Sequence, residues 1–274
     1  MPLSLPLNRT LSDMPSWTKI LAPALTIVLS YGAIVQLQLQ RLKQIESKGN
    51  QDRSKTEYVL EATQTKASLD LLAKMPDFGF RNLVADWSFL NFLQYFGDDK
   101  ARAKTGYRVT PNFFQVIVSR DPLFLEVYPY LSASVTLYAG QPQQTVQLLQ
   151  QAINKVPASK QTDAYFLWQS KGTDELLFLG RTKDAQHSYE MASAWASKSS
   201  DPVLQGIAQR SQQTARFIAS NPNSKRARVG AWFTILSNAV DDSTRQFAVR
   251  QIQSLGGTVK IDNGLLQVKL PKID

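Results

Sequence analysis

The pattern of apolar and polar positions divides the chain into an uncharged apolar segment near the N-terminus and a long body with helical periodicity. No charged residue occurs between Lys19 and Arg41, and the apolar side chains surround a helix axis instead of forming one stripe. A helix needs about 20 such residues to cross a bilayer. We therefore predict a single transmembrane helix over residues 20–40, preceded by an N-terminal segment over 1–19 and followed by a charged stem over 41–56.

Two other interpretations of residues 20–40 stay open at the level of sequence. A cleaved signal peptide would have a shorter apolar core and a small-residue cleavage site, and no such site surrounds Ala33. A buried globular helix would carry its apolar residues on one face. Five cations follow the segment within residues 41–55 and two precede it, so the positive-inside rule predicts that the body lies on the cytoplasmic side.

The body, residues 57–257, has apolar residues at intervals of three and four, which predicts a series of helices. The first covers residues 57–74, and its predicted apolar face consists of Leu60, Leu69, Leu72 and Met75. Turn signals separate the later helices, which are predicted over residues 110–118, 122–140, 142–157, 165–180, 181–197, 202–220, 226–240 and 243–255.

An aromatic-rich segment that ends at Gly97 predicts a further helix with one broad buried face. The positions expected on that face are Phe80, Leu83, Val84, Trp87, Leu90, Phe92, Leu93 and Phe96. Arg81 and Asp86 lie in the same segment, where they form either a ligand pair or contacts that cap or bridge neighbouring helices.

The tail over residues 258–274 differs from the body. Asn263-Gly264 stands between two short runs in which apolar residues alternate with others, and this predicts a β-hairpin. A lone hairpin is marginally stable, so it is expected to pack on the last helices or to pair with the sheet edge of a partner.

Two consecutive helix pairs share a spacing of small and bulky residues. The first pair has Ala133, Thr145, Leu149, Ala152 and Pro157, and the second has Ala185, Tyr189 and Ala192 in the corresponding places. Small residues let two helices approach closely, and Leu149 fills the groove between them. The turn glycines, Gly140 and Gly180, are 40 residues apart. This spacing resembles the tetratricopeptide repeat of about 34 residues, which implies an all-α solenoid that binds proteins.

Three strings within residues 78–196 carry a wider resemblance: GFRNLVADWSFLNFLQYFGDD, SRDPLFLEVYPYLSA and KGTDELLFLGRTKDAQHSYEMASAWA. They resemble a group of bacterial membrane-anchored tetratricopeptide-like proteins, and the glutamine-rich composition is similar to cyanobacterial members. The resemblance implies a thylakoid or plasma membrane setting. For a repeat protein held there, our hypothesis is a role in the assembly or stability of a membrane complex, photosynthetic complexes included. The resemblance brings no catalytic residues.

Composition and spacing point away from most kinds of chemistry. The 274 residues include no cysteine and a single histidine, His187, which is expected at the surface. Adjacent carboxylates occur at Asp98-Asp99, Asp174-Glu175 and Asp241-Asp242. Asp98-Asp99 follows Gly97 and is expected in a loop. Consecutive helical residues point about 100° apart, so neither of the other two pairs predicts a metal clamp. Gly256-Gly257 lacks the pattern of a phosphate loop. We predict no catalytic, cofactor-binding or metal-binding residue, and no enzyme.

The net charge of +9 favours contact with anionic lipid or with an acidic protein surface. Nucleic acid is the weaker interpretation, because the one dense basic run, Lys225, Arg226 and Arg228, is short.

Two hypotheses without catalysis follow. A membrane-tethered scaffold would bind a protein partner through its repeats, with aromatic residues as candidate contacts and core packing as their alternative role: Trp87, Tyr95, Tyr128, Tyr130, Trp168 and Trp195. A stoichiometric subunit of a membrane complex would instead pack its transmembrane helix against other helices through Ala22, Ala24, Ser30, Gly32 and Ala33. An enzyme is the third and least favoured hypothesis.

Overall fold

A computed structural model describes residues 25, 27–42, 53–76, 79–220, 224–262 and 265–272. The chain divides into two compact units, Met1–Ser54 and Lys55–Asp274. In the first unit, residues 27–42 form helix α1 and are exposed. Within the described parts of the chain, no helix combines the length and hydropathy needed to cross a membrane. Of the predicted span, residues 20–24 and 26 lie outside the described residues, as do residues 1–19 and the stem residues 43–52.

The second unit is mostly helical and ends in a two-stranded hairpin. Its α-helices are α2 Lys55–Lys74, α3 Arg81–Gly97, α4 Asp99–Thr105, α5 Thr110–Arg120, α6 Tyr128–Leu131, α7 Pro142–Ile153, α8 Tyr165–Leu177, α9 Thr182–Ala196, α10 Pro202–Ser220, α11 Lys225–Asn238 and α12 Asp242–Ser254. Short 3₁₀ turns occur at Leu125–Val127 and Ala158–Lys160, and a π-helical segment, Ser132–Tyr138, continues α6. The strands are β1 Thr258–Asp262 and β2 Leu265–Lys269.

Local chemistry explains many of the helix ends. Pro111 and Pro142 stand in the first turns of α5 and α7, where the missing N–H is not needed. Gly140 and Gly180 have φ angles of 64° and 65°, the left-handed region that favours glycine, and each ends the first helix of a predicted pair. The Ser224 hydroxyl accepts a hydrogen bond from the Ala227 N–H and so caps the N-terminus of α11.

The two predicted helix pairs are present and stack side by side. The π segment packs on α7, α8 packs on α7 and α9, and α9 packs on α10. Small residues at the helix contacts are fully buried, as their spacing predicts: Thr145, Ala152, Ala185 and Ala192. Leu149 is also fully buried. The prediction of an all-helical body with repeat character and a C-terminal hairpin is confirmed at this level.

Ala133 departs from the predicted pattern, because it is partly exposed while its neighbour Ser134 is buried. The segment Ser132–Tyr138 is π-helical, so its carbonyls bond five residues ahead instead of four. This wider turn changes which side chain faces α7. A pattern that assumes 3.6 residues per turn therefore selects the wrong residue in this helix.

The predicted apolar face of α2 is only partly correct. Leu69 is buried and Leu72 packs against the core, but Leu60 and Met75 are exposed, and Tyr58 is buried instead. Helix α4 was not predicted at all. Asp98, expected in a loop, accepts a hydrogen bond of 3.0 Å from the Ala101 N–H and caps this short helix.

The predicted buried face of α3 is only partly correct. Ala85, Ser88 and Phe92 are buried, and Val84, Phe89 and Phe96 pack against the core. Five residues expected inside are exposed: Phe80, Leu83, Trp87, Leu90 and Leu93. Helix α3 packs mainly on α5, which covers one side of the helix and leaves the other open.

Two groups of buried residues form the core of the second unit. The larger group joins α3, α5, α6, α7 and α8, and in it the Phe92 and Phe114 rings meet edge to face at 4.8 Å. The smaller group surrounds Trp232 of α11 and Ile252 of α12. The strands β1 and β2 pair antiparallel, with Val259 opposite Val268, and both residues pack against this smaller group. The hairpin therefore packs on the last helices, as predicted.

The turn residues Asn263-Gly264 and the helix-breaking pair Asn221-Pro222 lie outside the described residues.

Candidate functional site

The six candidate aromatic residues separate into two groups. Trp87 and Tyr130 are exposed, Tyr95 is partly buried, and Tyr128, Trp168 and Trp195 are buried in the core. Tyr130 packs its ring edge against Phe89 at a centroid distance of 5.3 Å. Of the six, only Trp87 and Tyr130 therefore present large apolar surface to a partner.

Tyr95 holds α4 against α3. The Arg102 guanidinium lies over its ring at 3.5 Å, and the Tyr95 hydroxyl accepts a hydrogen bond of 3.3 Å from the Val109 N–H. Burial raises the pKa of the Tyr95 hydroxyl and lowers the pKa of Arg102. These contacts assign Tyr95 a packing role.

His187 is exposed, as predicted, and its ring meets the edge of the Trp168 indole at 5.9 Å. Trp168 in turn meets Trp195 edge to face at the same distance. Among the described residues, no group of three or more His, Asp or Glu side chains stands close enough to hold a metal ion.

Arg81 and Asp86 are both exposed, and Arg81 donates to the Ser119 carbonyl at 3.4 Å. Arg81 thus bridges α3 to the end of α5, which is the helix-bridging role considered for it. Arg120 makes a similar link, because it donates to the carbonyls of Leu72 and Met75 at the end of α2.

Asp241 caps α12, where its carboxylate accepts hydrogen bonds of 3.1 Å from the N–H groups of Ser243 and Thr244. Hydrogen bonds from Ser243 and Thr244 lower the pKa of Asp241 against the opposing effect of burial. Gly106 lies against this carboxylate so closely that a Cβ on the glycine would stand 2.3 Å from Oδ2. Asp241-Asp242 is therefore a helix cap that contacts an earlier loop.

Asp174 and Glu175 differ from the other two carboxylate pairs, because both are buried. They lie on α8 together with Lys171, which is buried as well. Lys171 Nζ lies 2.6 Å from Glu175 Oε1 and donates to Ser188 Oγ at 3.1 Å. The Ser188 hydroxyl donates to Glu175 Oε2 at 2.6 Å. All three polar groups satisfy one another, so the cluster links α8 to α9.

Asp174 points away from Glu175, toward the preceding helix pair. Its Oδ2 accepts a hydrogen bond of 2.9 Å from Thr136 Oγ1, which also lies 2.8 Å from Thr145 Oγ1. Burial raises the pKa of Asp174 to about 7, and the Thr136 hydrogen bond opposes this only in part. The carboxylates of Asp174 and Glu175 therefore contact different helices.

The buried charges of α8 were missed at the level of sequence, although a signal was present. Lys171, Asp174 and Glu175 continue the spacing of Leu167, Trp168 and Phe178, which are all buried. Charged residues at the buried positions of a helix indicate a polar network inside the protein. Lys171 and Glu175 are also four residues apart, the spacing at which helical side chains meet.

The Lys171–Glu175 pair lines the floor of a small cavity of about 290 Å³. The rest of the lining consists of Asp184 and His187 of α9, Arg181 just before that helix, and four residues of α7: Gln143, Val146, Gln147 and Gln150. Lys171 and Glu175 are already paired with each other and with Ser188.

A larger open groove of about 710 Å³ runs between α9 and α10. Its lining is mostly polar and includes Ser193, Gln205, Gln209, Gln212, Gln213 and Arg216. A primary amide offers both donors and an acceptor, so a row of glutamines matches the N–H and C=O groups of an extended peptide. Arg216 adds a donor that prefers a carboxylate.

The exposed side of α3 is the second surface of interest. Leu83, Trp87 and Leu90 are 63%, 56% and 59% exposed, and Phe80 just before the helix is 63% exposed. Side chains three and four residues apart lie on one face of a helix, so these residues form a continuous apolar stripe. We call Leu83, Trp87 and Leu90 the α3 stripe.

These features define the class of protein as a mostly helical chain whose body has repeat character and whose described part carries an amide-lined groove and an exposed apolar stripe. Comparisons with protein-family models, with curated proteins and with solved structures found no match to this chain.

Proposed function

We propose that this chain is a non-enzymatic scaffold with a tetratricopeptide-like body that binds a protein subunit of a membrane complex and assists its assembly or stability. Residues 20–40 tether it to a thylakoid or plasma membrane, with the body on the cytoplasmic side. A tether restricts the volume that the body explores and so raises the effective concentration of a partner in the same membrane.

The observation that carries this proposal is the groove between α9 and α10. Ser193 on one wall belongs to α9 of the second helix pair with repeat spacing, and the glutamines on α10 suit an extended peptide segment of the partner. Arg216 at its edge favours an acidic segment, in keeping with the positive net charge of the chain.

The test uses two versions of the tagged chain in detergent, the full chain and one that lacks residues 20–40. We expect the same protein partner to be recovered with both. The substitution Arg216→Glu should lower its recovery severalfold, because it places a carboxylate where the groove would receive one. Arg210→Glu is the matched control, since Arg210 is exposed on the same helix but does not line the groove.

Other outcomes decide against the scaffold. A partner that is recovered only with residues 20–40 would support the alternative, a structural subunit whose transmembrane helix packs against other subunits. Equal losses with Arg216→Glu and Arg210→Glu would indicate a general charge effect and remove the groove as the binding surface. The absence of any partner in both preparations contradicts both functions.

A further inference from the structure

We infer that the α3 stripe docks on the lipid surface of the membrane that holds the chain, with Leu83, Trp87 and Leu90 among the headgroups and the first acyl carbons. The inference rests on the membrane tether of the proposed function. It is independent of the groove between α9 and α10, which lies on other helices.

The stripe is a second apolar face on a helix whose first face is already occupied. Successive residues turn about 100°, so Leu83, Trp87 and Leu90 fall within an arc of about 60°. Ala85, Ser88 and Phe92 on the other side are buried in the contact with α5. Helix α3 therefore cannot turn to bury the stripe without exposing its own core residues.

The composition of the stripe suits a bilayer interface. Leucine and tryptophan are the residues that interfacial helices bury at the boundary of headgroups and acyl chains. Tryptophan in particular is enriched at this depth because its ring is apolar and its N–H is polar. Asp86 is exposed and lies about 40° from Leu90 around the helix, at one edge of the stripe, where its carboxylate would lie among the headgroups.

The covalent chain keeps the body within reach of such a surface. The predicted span ends at residue 40 and α2 begins at Lys55, so 14 residues connect them. A fully extended chain of that length covers at most about 50 Å, and a flexible one covers on average roughly 20 Å. The connecting residues carry four cations, Arg41, Lys43, Lys48 and Arg53, against two anions, and this net charge of +2 attracts an anionic lipid surface. The short connection to the predicted span therefore keeps the α3 stripe close to a lipid surface, which makes lipid the expected binding partner of the stripe.

The absence of cysteine makes a direct test possible, because one introduced cysteine is the only labelling site in the full chain. A spin label is attached to Leu90→Cys, and the chain is reconstituted in vesicles of phosphatidylcholine with phosphatidylglycerol. The matched control is Phe217→Cys on α10, since Phe217 is an equally exposed apolar residue, at 62%. The measured quantity is the collision rate of each label with oxygen and with a water-soluble nickel complex.

We expect the oxygen-to-nickel collision ratio at position 90 to rise severalfold over that at position 217 when vesicles are present. A label-free measurement supports this result: bromine on the lipid chains should quench Trp17 beside the predicted span and also Trp87, so Trp87→Phe should remove part of the quenched fluorescence and leave the Trp17 share.

The outcomes separate this inference from the proposed tether. If the chain stays with the vesicles after an alkaline carbonate wash but the label at position 90 reports water, the docking is wrong and the tether stands. If the wash removes the chain although the label had reported lipid, the docking stands and the span is wrong. If the label is shielded from both quenchers, a protein surface or a second copy covers the stripe, and the inference is overturned.

Discussion

Burial raises the pKa of the Asp174 carboxyl group to about 7 in the folded protein, so the fold disfavours its charged form. In the unfolded chain the same pKa would be near 3.8. Between these two values the folded state holds a proton that the unfolded state has released. The free energy of unfolding should therefore fall as the pH rises from about 4 to about 7. The total loss amounts to roughly 4 kcal/mol, at about 1.4 kcal/mol for each unit of pKa.

Urea unfolding of the chain at several pH values between 4.5 and 7.5 measures this dependence. Asp174→Asn is the control, because the amide keeps the shape of the side chain and cannot ionise. We expect the variant to lose most of the decline and to be the more stable protein at pH 7.5. The lowered pKa values of Asp70 and Asp241 act in the opposite direction and only below about pH 4, so they do not interfere in this range. Parallel pH profiles for the two proteins would contradict the assignment.

Lys171 and Glu175 allow a second prediction at the scale of single residues. Lys171→Met removes one partner of a buried ion pair and leaves the Glu175 charge uncompensated, which should cost about 3–5 kcal/mol. Adding Glu175→Gln should recover most of that loss, because the amide oxygen still accepts from Ser188 and carries no charge. Thermal unfolding of the single and double variants measures both effects. A double variant as unstable as the single one would show that packing, not the unpaired charge, sets the cost.

The turn between α8 and α9 carries the prediction at the scale of elements. Gly180 has a positive φ angle, and a Cβ there would stand 2.5 Å from Arg228 Cζ. Gly180→Ala should lower the free energy of unfolding by about 1–2 kcal/mol, mostly through the backbone, because the Arg228 side chain can move aside. Gly230→Ala in α11 is the contrasting variant. No atom lies within 4 Å of its new Cβ, so the gain in helix propensity should stabilise the protein by about 0.5–1 kcal/mol. Urea unfolding should therefore give shifts of opposite sign.

The bounds of most helices could be predicted from the sequence because they depend on neighbouring residues. Helix α10, for example, was predicted over 202–220 and is observed as Pro202–Ser220. The open face of α3 could not be predicted in this way. Its apolar residues surround much of the helix, and only the position of α5 decides which of them are buried. The buried charges of α8 were hidden for a similar reason, since Lys171 and Glu175 depend on Ser188 of another helix.

Burial differs widely across the whole second unit, which predicts where it opens first. Helix α5 lies in the larger core group and has a run of buried residues: Phe113, Phe114, Val116, Ile117 and Val118. Helix α10 packs mainly on α9, and only a few of its 19 residues are buried: Ala208, Ser211, Ala215 and Ile218. We expect native-state hydrogen exchange to be slowest in α5 and several orders of magnitude faster in α10, because local opening needs less free energy where fewer contacts are lost. Equal protection of the two helices would mean that the unit opens only as a whole.

The contact between Gly106 and Asp241 has a consequence for the order of events during synthesis. The cap of α12 lies against a loop made 135 residues earlier, and α11 packs on the π segment of the first helix pair. At a translation rate of 5–20 residues per second, the loop at Gly106 is synthesised on the order of ten seconds before Asp241. The loop and the π segment thus leave the ribosome well before α11 and α12, which contact them, and a chaperone has that interval in which to bind their exposed surfaces.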